Sequence, residues 1–319
     1  KRRNYILPIL IDCILVVSSI IMLWKGADWL VESAAEIAHT LKVSDLIIGL
    51  TVVAFGTSAP EFAVTISAAL SQQTDISIGN VIGSNIFNLG FILGGTALIT
   101  PVKTTPKLFN RDGLILLMST SLIFLFFFGI NGWDQNDSFT QIEGFILFSL
   151  LLIYIAFLFI KKEPPEEVNP HSANWKSYAS FLLGLFLIVY GGHLMVVHVS
   201  NVARYLGVSD WVIAVTIVAA GTSAPEFATS IAAALKGRHG IAIGNLIGSD
   251  LFNLLGVLGL AGMINPSNIT QDTYISVFNL VLMVGVVLIM IRTNWRISRL
   301  EGAILVTVNL FRWYYDFSL

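Results

Sequence analysis

The chain has 319 residues, 55% of them hydrophobic and only 12% charged, with a formal net charge of −2 and a mean hydropathy of +0.79. A soluble domain carries about 25% charged residues, so the composition excludes an ordinary soluble protein and points to an integral membrane protein. The lone cysteine, Cys13, sits in an apolar run and leaves no partner for an intrachain disulfide; it is read as a packing residue.

Ten apolar segments follow one another, each near the ~20 residues a transmembrane helix needs. They fall at about 5–30, 43–70, 76–99, 113–130, 142–160, 178–200, 210–235, 241–263, 273–291 and 298–317. The expected fold class is all-α, a polytopic membrane protein of ten transmembrane helices. Lys1-Arg2-Arg3 ahead of an apolar run imitates a signal peptide. No small-residue cleavage site precedes the second span, so the first is read as a retained helix.

Lysine and arginine sort by side. Alternate connections hold Lys42; Lys103, Lys107 and Arg111; Lys161, Lys162 and Lys176; Lys236 and Arg238; and Arg292, Arg296 and Arg299. The opposite connections hold only Arg204. The positive-inside rule makes the first set cytoplasmic and puts both termini on the far side. Lys1-Arg2-Arg3 opposes that orientation but is outweighed by five consistent loops.

The two halves repeat. Gly56-Thr57-Ser58-Ala59-Pro60-Glu61-Phe62-Ala63 returns as Gly221-Thr222-Ser223-Ala224-Pro225-Glu226-Phe227-Ala228, a shift of 165 residues. The same shift lays Val43-Ser44-Asp45 on Val208-Ser209-Asp210, Gly79-Asn80 on Gly244-Asn245, Gly83-Ser84 on Gly248-Ser249 and Phe87-Asn88-Leu89 on Phe252-Asn253-Leu254. With five spans per unit, the second copy enters the membrane from the opposite face. Such inverted repeats place a transporter's substrate site near the midplane, at the repeat interface. The expected organisation is a first five-helix repeat over 1–160, a short cytoplasmic linker over 161–176 and a second five-helix repeat over 177–319.

The repeated letters carry cation chemistry. Pro60 and Pro225 withhold a backbone N–H and clash with the preceding turn, freeing carbonyls near Ala54 to Thr57 and Ala219 to Thr222. Unpaired carbonyls at membrane depth are tolerated only where they face protein or a cavity. The hydroxyls of Thr57, Ser58, Thr222 and Ser223 lie beside them, and Glu61 and Glu226 follow the threonines by one helical turn. Ser84 with Asn88, and Ser249 with Asn253, are also one turn apart. A charge at this depth is costly and functional by default. The set is all oxygen, which suits Ca²⁺ or Na⁺ and argues against zinc or copper. Two carboxylates that share a site repel unless a cation or a proton lies between them, so protons are expected competitors.

Other residues are read more plainly. Gly79, Gly83, Gly244 and Gly248 make small-xxx-small pairs that suit close helix packing. Asp28 and Glu32, without counterparts in the repeat, take an interfacial or lining role. Asp250 stands where the first half has Asn85, and serves the ion pathway or pairs locally. His193 and His198 are packing or interfacial groups. Asp134, Asp137 and the cluster from Glu163 to Glu167 are solvated loop charge.

Paired GTSAPE and GN-x-I-GS-x-x-FN motifs, one pair per half, resemble the two alpha-repeats of the cation/Ca²⁺ exchanger superfamily, and most closely the compact prokaryotic sodium/calcium exchanger branch. The resemblance covers essentially the whole chain. It implies an antiporter, typically exchanging three Na⁺ for one Ca²⁺ by alternating access while the first and sixth helices slide past an ion-holding core. Glu61 and Glu226 would then be the shared carboxylates for calcium and sodium, helped at the calcium site by the Thr57 and Thr222 carbonyls. Ala54, Ser58 and Ser84 would contribute to one flanking sodium site and Ala219, Ser223 and Ser249 to its mirror image, with Asn88 and Asn253 lining the middle. Some relatives carry Asp at the position of Asn253; amides at both middle positions weaken a potassium-cotransport reading. The proton-coupled branch carries an extra acid in its GN motif that this chain lacks, which favours sodium.

The expected function is therefore Na⁺/Ca²⁺ antiport across a prokaryotic plasma membrane. A proton/calcium antiporter is the alternative and a cation channel a more distant one. An enzyme is not expected, because Ser58 has no histidine at a recognisable spacing. No cofactor is expected beyond the transported Ca²⁺ and Na⁺. The expected partners are membrane lipids and the transported cations, with no nucleic acid and no obligate protein partner.

Overall fold

The computed structural model describes residues 6–128, 138–161, 163, 172–208 and 219–318. Twelve helical pieces run through them: α1 (Ile6–Leu41), α2 (Asp45–Thr57), α3 (Ala59–Leu70), α4 (Asp75–Ile99), α5 (Leu108–Phe128), α6 (Gln141–Ile160), α7 (Trp175–Tyr205), α8 (Ala219–Thr222), α9 (Ala224–Leu235), α10 (His239–Ile264), α11 (Gln271–Arg292) and α12 (Arg299–Ser318). Local chemistry sets several starts. Ser44 caps α2 by accepting the Ile47 N–H at 3.3 Å. Thr140 with Glu143, and Ser298 with Glu301, form reciprocal capping boxes at the heads of α6 and α12.

Among the described residues seven helices are long and apolar enough to cross a membrane, and α2 with α3 makes an eighth when counted as one broken span. Two of the ten expected spans are not among these. Every membrane-length window of α12 includes Glu301, Arg312 and Asp316. The seventh expected span, at about 210–235, is described only from 219. The first span also runs further than expected, to Leu41 rather than near 30. At 1.5 Å per residue α1 is about 54 Å long, well beyond the ~30 Å hydrocarbon core. Its outer face carries Leu10, Ile14, Val17, Ile21 and Trp24, all more than half exposed. Cys13 lies on the exposed side too, so it is not the packing residue expected.

The innermost helices are α10 and α4, with 83% and 67% of their membrane windows buried against 22% for α1. They are reached through paired small residues. A Cβ on Gly94 of α4 would lie 2.9 Å from the Gly302 carbonyl of α12, and one on Gly259 of α10 would lie 2.9 Å from the Gly144 carbonyl of α6. Since Gly94 and Gly259 are repeat equivalents, each half's central helix leans on the last helix of the other half. The outer pair behaves alike: Gly26 of α1 abuts Gly184 of α7, and Gly191 of α7 abuts Ser19 of α1. Gly244 and Gly248 press on Leu46 and Leu50 of α2, as the small-xxx-small reading expects. Gly79 and Gly83 meet nothing within 4 Å among the described residues, and the segment equivalent to the start of α2 is 210–218, outside them.

Two short antiparallel ladders tie the halves together. β1 (Val102–Lys103) pairs with β4 (Arg296–Ile297), and β2 (Ser138–Phe139) with β3 (Ser267–Asn268). Each takes one strand from each half.

The α1–α7 crossing yields a test. In Gly184→Ala the new methyl would sit 2.8 Å from the Gly26 carbonyl and from the Leu30 amide. Both are backbone, so the helices must part, at a cost of about 1–3 kcal/mol. Thermal unfolding of detergent-solubilised protein, followed by tryptophan fluorescence, is expected to show a lower midpoint; an unchanged one would mean the helices do not approach this closely.

Candidate functional site

The two GTSAPE copies make matching breaks. The chain leaves the helical conformation at Ser58 (φ −78°, ψ 7°) and at Ser223 (φ −88°, ψ 9°), and α2 and α3 meet at a bend of 51°. Each proline falls in the first turn of the following helix, where its missing N–H is least costly. Each glutamate comes one residue later, so Glu61 and Glu226 sit at the positive ends of α3 and α9. Both are essentially fully buried, 1% and 0% exposed.

The breaks grip each other across the repeat. Ser58 Oγ donates to Glu226 Oε1 at 3.1 Å, and Ser223 Oγ donates to Glu61 Oε1 at 2.9 Å. The serine at each break thus serves the other half's acid. These two bonds bring both carboxylates to the place where the breaks meet. Thr57 Oγ1 donates to Asn245 Oδ1 at 3.0 Å and lies 3.4 Å from Ser249 Oγ. Ser249 in turn reaches Glu226 Oε1 at 3.5 Å.

Behind the glutamates stands a scaffold that the motif chemistry had not singled out. Asn80 Nδ2 donates to Thr65 Oγ1 at 2.9 Å and to the Glu61 carbonyl at 3.4 Å. Asn245 Nδ2 donates to Ser230 Oγ at 3.1 Å and to the Glu226 carbonyl at 3.4 Å. The 165-residue shift maps one set onto the other, and the recurrence of a hydroxyl at Thr65 and Ser230 was the available signal.

A second layer joins α4 and α10. Asn88 Nδ2 donates to Asp250 Oδ1 at 3.0 Å, and Asn253 Nδ2 donates to Asn85 Oδ1 at 3.2 Å. Both helices loosen here into π-helical turns, Asn88–Ile92 and Phe252–Val257. Such bulges are frequent at functional sites.

The oxygens left over identify the chemistry. Glu61 Oε2, Glu226 Oε2, Asn88 Oδ1 and Asn253 Oδ1 are buried without any hydrogen-bond partner. Asp250 Oδ2 is a fifth; buried acceptors are nearly always paired in folded proteins, and such a set suits cations. Among the described residues no three His, Cys, Asp or Glu side chains converge on one point, so the donor set is two carboxylates with neutral oxygens. That set fits a hard cation. Of the remaining expected residues, Ser84 is buried on α4 one turn before Asn88. Ala54 offers a carbonyl that already accepts the Ser58 N–H at 3.0 Å and the Thr57 hydroxyl at 3.3 Å. Thr222 closes α8 at the second break, and Ala219 opens that helix.

The comparisons with known proteins decide what this geometry belongs to. The sequence model of the family described as sodium/calcium exchanger protein matches residues 12–160 and 176–312. The chain belongs to the sodium/calcium exchanger family. It is 34% identical to the putative antiporter CaxA of Alkalimonas amylolytica, covering 97% of this chain and 99% of the relative. It is 33% identical to the sodium/calcium exchanger MaX1 of Methanosarcina acetivorans, covering 93% and 96%. The solved structure of the sodium-calcium exchanger NCX_Mj superposes with a TM-score of 0.82 at 29% identity, covering 95% of this chain and 98% of that one. The protein is thus a membrane-embedded cation/Ca²⁺ exchanger of the prokaryotic branch, a transporter and not an enzyme. The family moves its ions without a cofactor.

Several charges in the exchanger correct the sequence reading. Glu163 is not solvated loop charge: it pairs with Arg111 and accepts the Ser44 hydroxyl at 3.4 Å. Arg111 is not a loop residue either; it lies in α5 and grips Asp112 through two bonds of 2.8 and 2.9 Å. Asp112 also accepts the Tyr154 hydroxyl at 2.9 Å. Asp28 and Glu32 pair with Lys236, tying α1 to the end of α9. His198 lies 2.6 Å from Asp12, a buried acid of α1 that the sequence reading passed over. Asp134, Asp137, Glu166 and Glu167 lie outside the described residues.

The asparagine scaffold makes an unequal prediction. Asn245 is fully buried, whereas Asn80 is half-buried and open to replacement by water. Asn245→Ala removes one bond each from Ser230, Thr57 and the Glu226 carbonyl and is expected to destabilise the protein by about 1–3 kcal/mol, with Asn80→Ala costing less. Thermal midpoints of the two variants, measured side by side, check the order.

Proposed function

We propose that the exchanger moves Ca²⁺ against Na⁺ by alternating access to one central site shared by two inverted five-helix repeats. The observation that carries this reading is the reciprocal grip of Ser58 on Glu226 and Ser223 on Glu61, which leaves one oxygen of each buried carboxylate without a partner. Two carboxylates match the charge of one Ca²⁺, and further oxygens are needed to reach the six to eight that calcium takes. In this reading the Thr57 and Thr222 carbonyls supply them at the calcium position. Ala54, Ser58 and Ser84 serve one sodium position, and Ala219, Ser223 and Ser249 its mirror image. Asn88 and Asn253 line the middle, and both glutamates belong to every state. Na⁺ and Ca²⁺ compete for these oxygens, so occupancy is mutually exclusive and the two fluxes are coupled.

The inverted arrangement is supported by the glycine contacts and ladders that recur between halves, and by a family match that divides into 12–160 and 176–312, close to the repeats assigned at 1–160 and 177–319 with the linker between. Sliding of α1 with α7 is supported by their seam of small residues. The names of MaX1 and NCX_Mj favour sodium as the coupling ion. With the basic loops cytoplasmic, both termini face outward, and the host is a prokaryotic inner membrane, as for the relative YrbG of Escherichia coli. If three Na⁺ cross per Ca²⁺, one net charge moves, worth about 2.3 kcal/mol per 100 mV.

The test is calcium uptake into proteoliposomes under an imposed sodium gradient with the membrane potential clamped. Uptake is expected to require internal sodium and to vanish in Glu61→Gln and in Glu226→Gln, while both variants keep the wild-type elution profile. Wild-type transport by either variant would overturn the site assignment. Uptake driven by a proton gradient without sodium would move the protein to proton coupling.

A further inference from the structure

A third acid lies near the centre and belongs to no repeated motif. Asp250 follows Ser249 on α10 and is 0% exposed; the equivalent residue of the first half is the neutral Asn85. Its Oδ1 accepts the Asn88 amide at 3.0 Å, and its backbone carbonyl accepts the Asn85 amide at 3.5 Å. Its Oδ2 has no partner. Among the described residues no basic side chain pairs with it, and Glu226 is near enough to repel it. A lone carboxylate in the membrane interior is strongly unfavourable without a counter-charge.

The neighbours of Asp250 indicate what supplies that charge. Asn253 stands three residues on along the same face of α10, and its Oδ1 is orphaned, as is Asn88 Oδ1. Both amide nitrogens are already engaged, Asn88's by Asp250 itself and Asn253's by Asn85. The layer therefore presents three buried acceptors and no free donor. Asp250 does not join Glu61 and Glu226 in a three-acid cluster, so it is not simply a third ligand of an ion held between them.

We propose that Asp250, with the amide oxygens of Asn88 and Asn253, holds one monovalent hard cation of the Na⁺ class beside the glutamate pair. This rests on the exchanger reading given above and assigns a residue to the odd charge in it. One carboxylate with two neutral oxygens matches a single positive charge, whereas Ca²⁺ needs more oxygens and is matched by the two glutamates. The glutamate pair is neutralised by one Ca²⁺ or by two Na⁺; Asp250 adds a further Na⁺. Calcium held by the glutamates expels that ion because it repels a cation lodged beside it. The excess sodium then sets the net charge moved per cycle, and it depends on one residue of one half.

Competition between Na⁺ and radiolabelled Ca²⁺ for the full-length chain purified in detergent tests this without requiring transport. The wild type is expected to lose calcium affinity with rising Na⁺ more steeply than D250N. For each tenfold rise in Na⁺, the apparent Kd for Ca²⁺ should climb about tenfold further in the wild type, the signature of one additional sodium. The double variant N85D/D250N, which moves the acid to the equivalent position on α4, is expected to regain the steeper dependence. Equal steepness in the wild type and D250N overturns the proposal, as does loss of calcium binding itself in D250N, which would put Asp250 in the calcium site. A wild type whose calcium binding ignores Na⁺ fails the sodium-exchange reading instead, so the two failures are distinct.

Discussion

The fold turns on two like charges held together away from water. Glu61 and Glu226 are buried at the meeting of two broken helices, where burial and mutual repulsion both oppose the ionised pair. The protein answers with directed dipoles: the first turns of α3 and α9, a serine from the opposite half for each acid, and an asparagine behind each glutamate carbonyl. None of these carries a formal positive charge. The compensation is partial, one oxygen of each carboxylate staying without a partner, and in the proposed function the remainder falls to the transported ion. A lysine or arginine at this place would satisfy the carboxylates permanently and leave nothing for a cation to do.

Such a site needs walls that bring backbones close while leaving the breaks free, and lipid supplies no hydrophobic drive for helices to associate. The glycine contacts meet both needs. Gly94 on Gly302 and Gly259 on Gly144 seat the central helices, and Gly26 on Gly184 seats the outer pair. Because each contact joins one half to the other, neither half encloses the acids alone. Gly244 and Gly248 seat α10 on α2 in the same way.

The central site was legible because its signals are local and doubled. A proline beside a carboxylate in an apolar run breaks one rule twice, and its return 165 residues later removes chance as an explanation. The contacts that escaped are those whose partners lie far apart in sequence. Nothing in the run around Asp12 announces His198, and Glu163 in a polar linker gives no hint that Arg111 will meet it. The tenth segment, read at about 298–317, is a regular helix packed on α4 through Gly302, although its charges set it apart from the other spans. The end of α1 was misplaced because Asp28 and Glu32 suggested an interface. In the structure Asp28 is paired with Lys236 and the helix continues for more than three turns.

Duplication gives the exchanger two matching sets of motif residues, 165 positions apart. Ion coupling is different. A symmetric pair of acids offers an even charge, which a divalent ion or two monovalent ions neutralise equally well, so exchange on the pair alone carries no net charge and ignores the membrane potential. An odd charge requires the symmetry to be broken within the ion layer itself. The layer that joins α4 to α10 is where this chain does so, with Asn85 on one arm and Asp250 on the other. Asparagine and aspartate are near-isosteric, so the hydrogen-bond frame to Asn88 and Asn253 survives the change. The scaffold can keep its duplicated geometry while the electrostatics become unequal, and on the assignment proposed for Asp250 that inequality is what would let the membrane voltage act on the exchange.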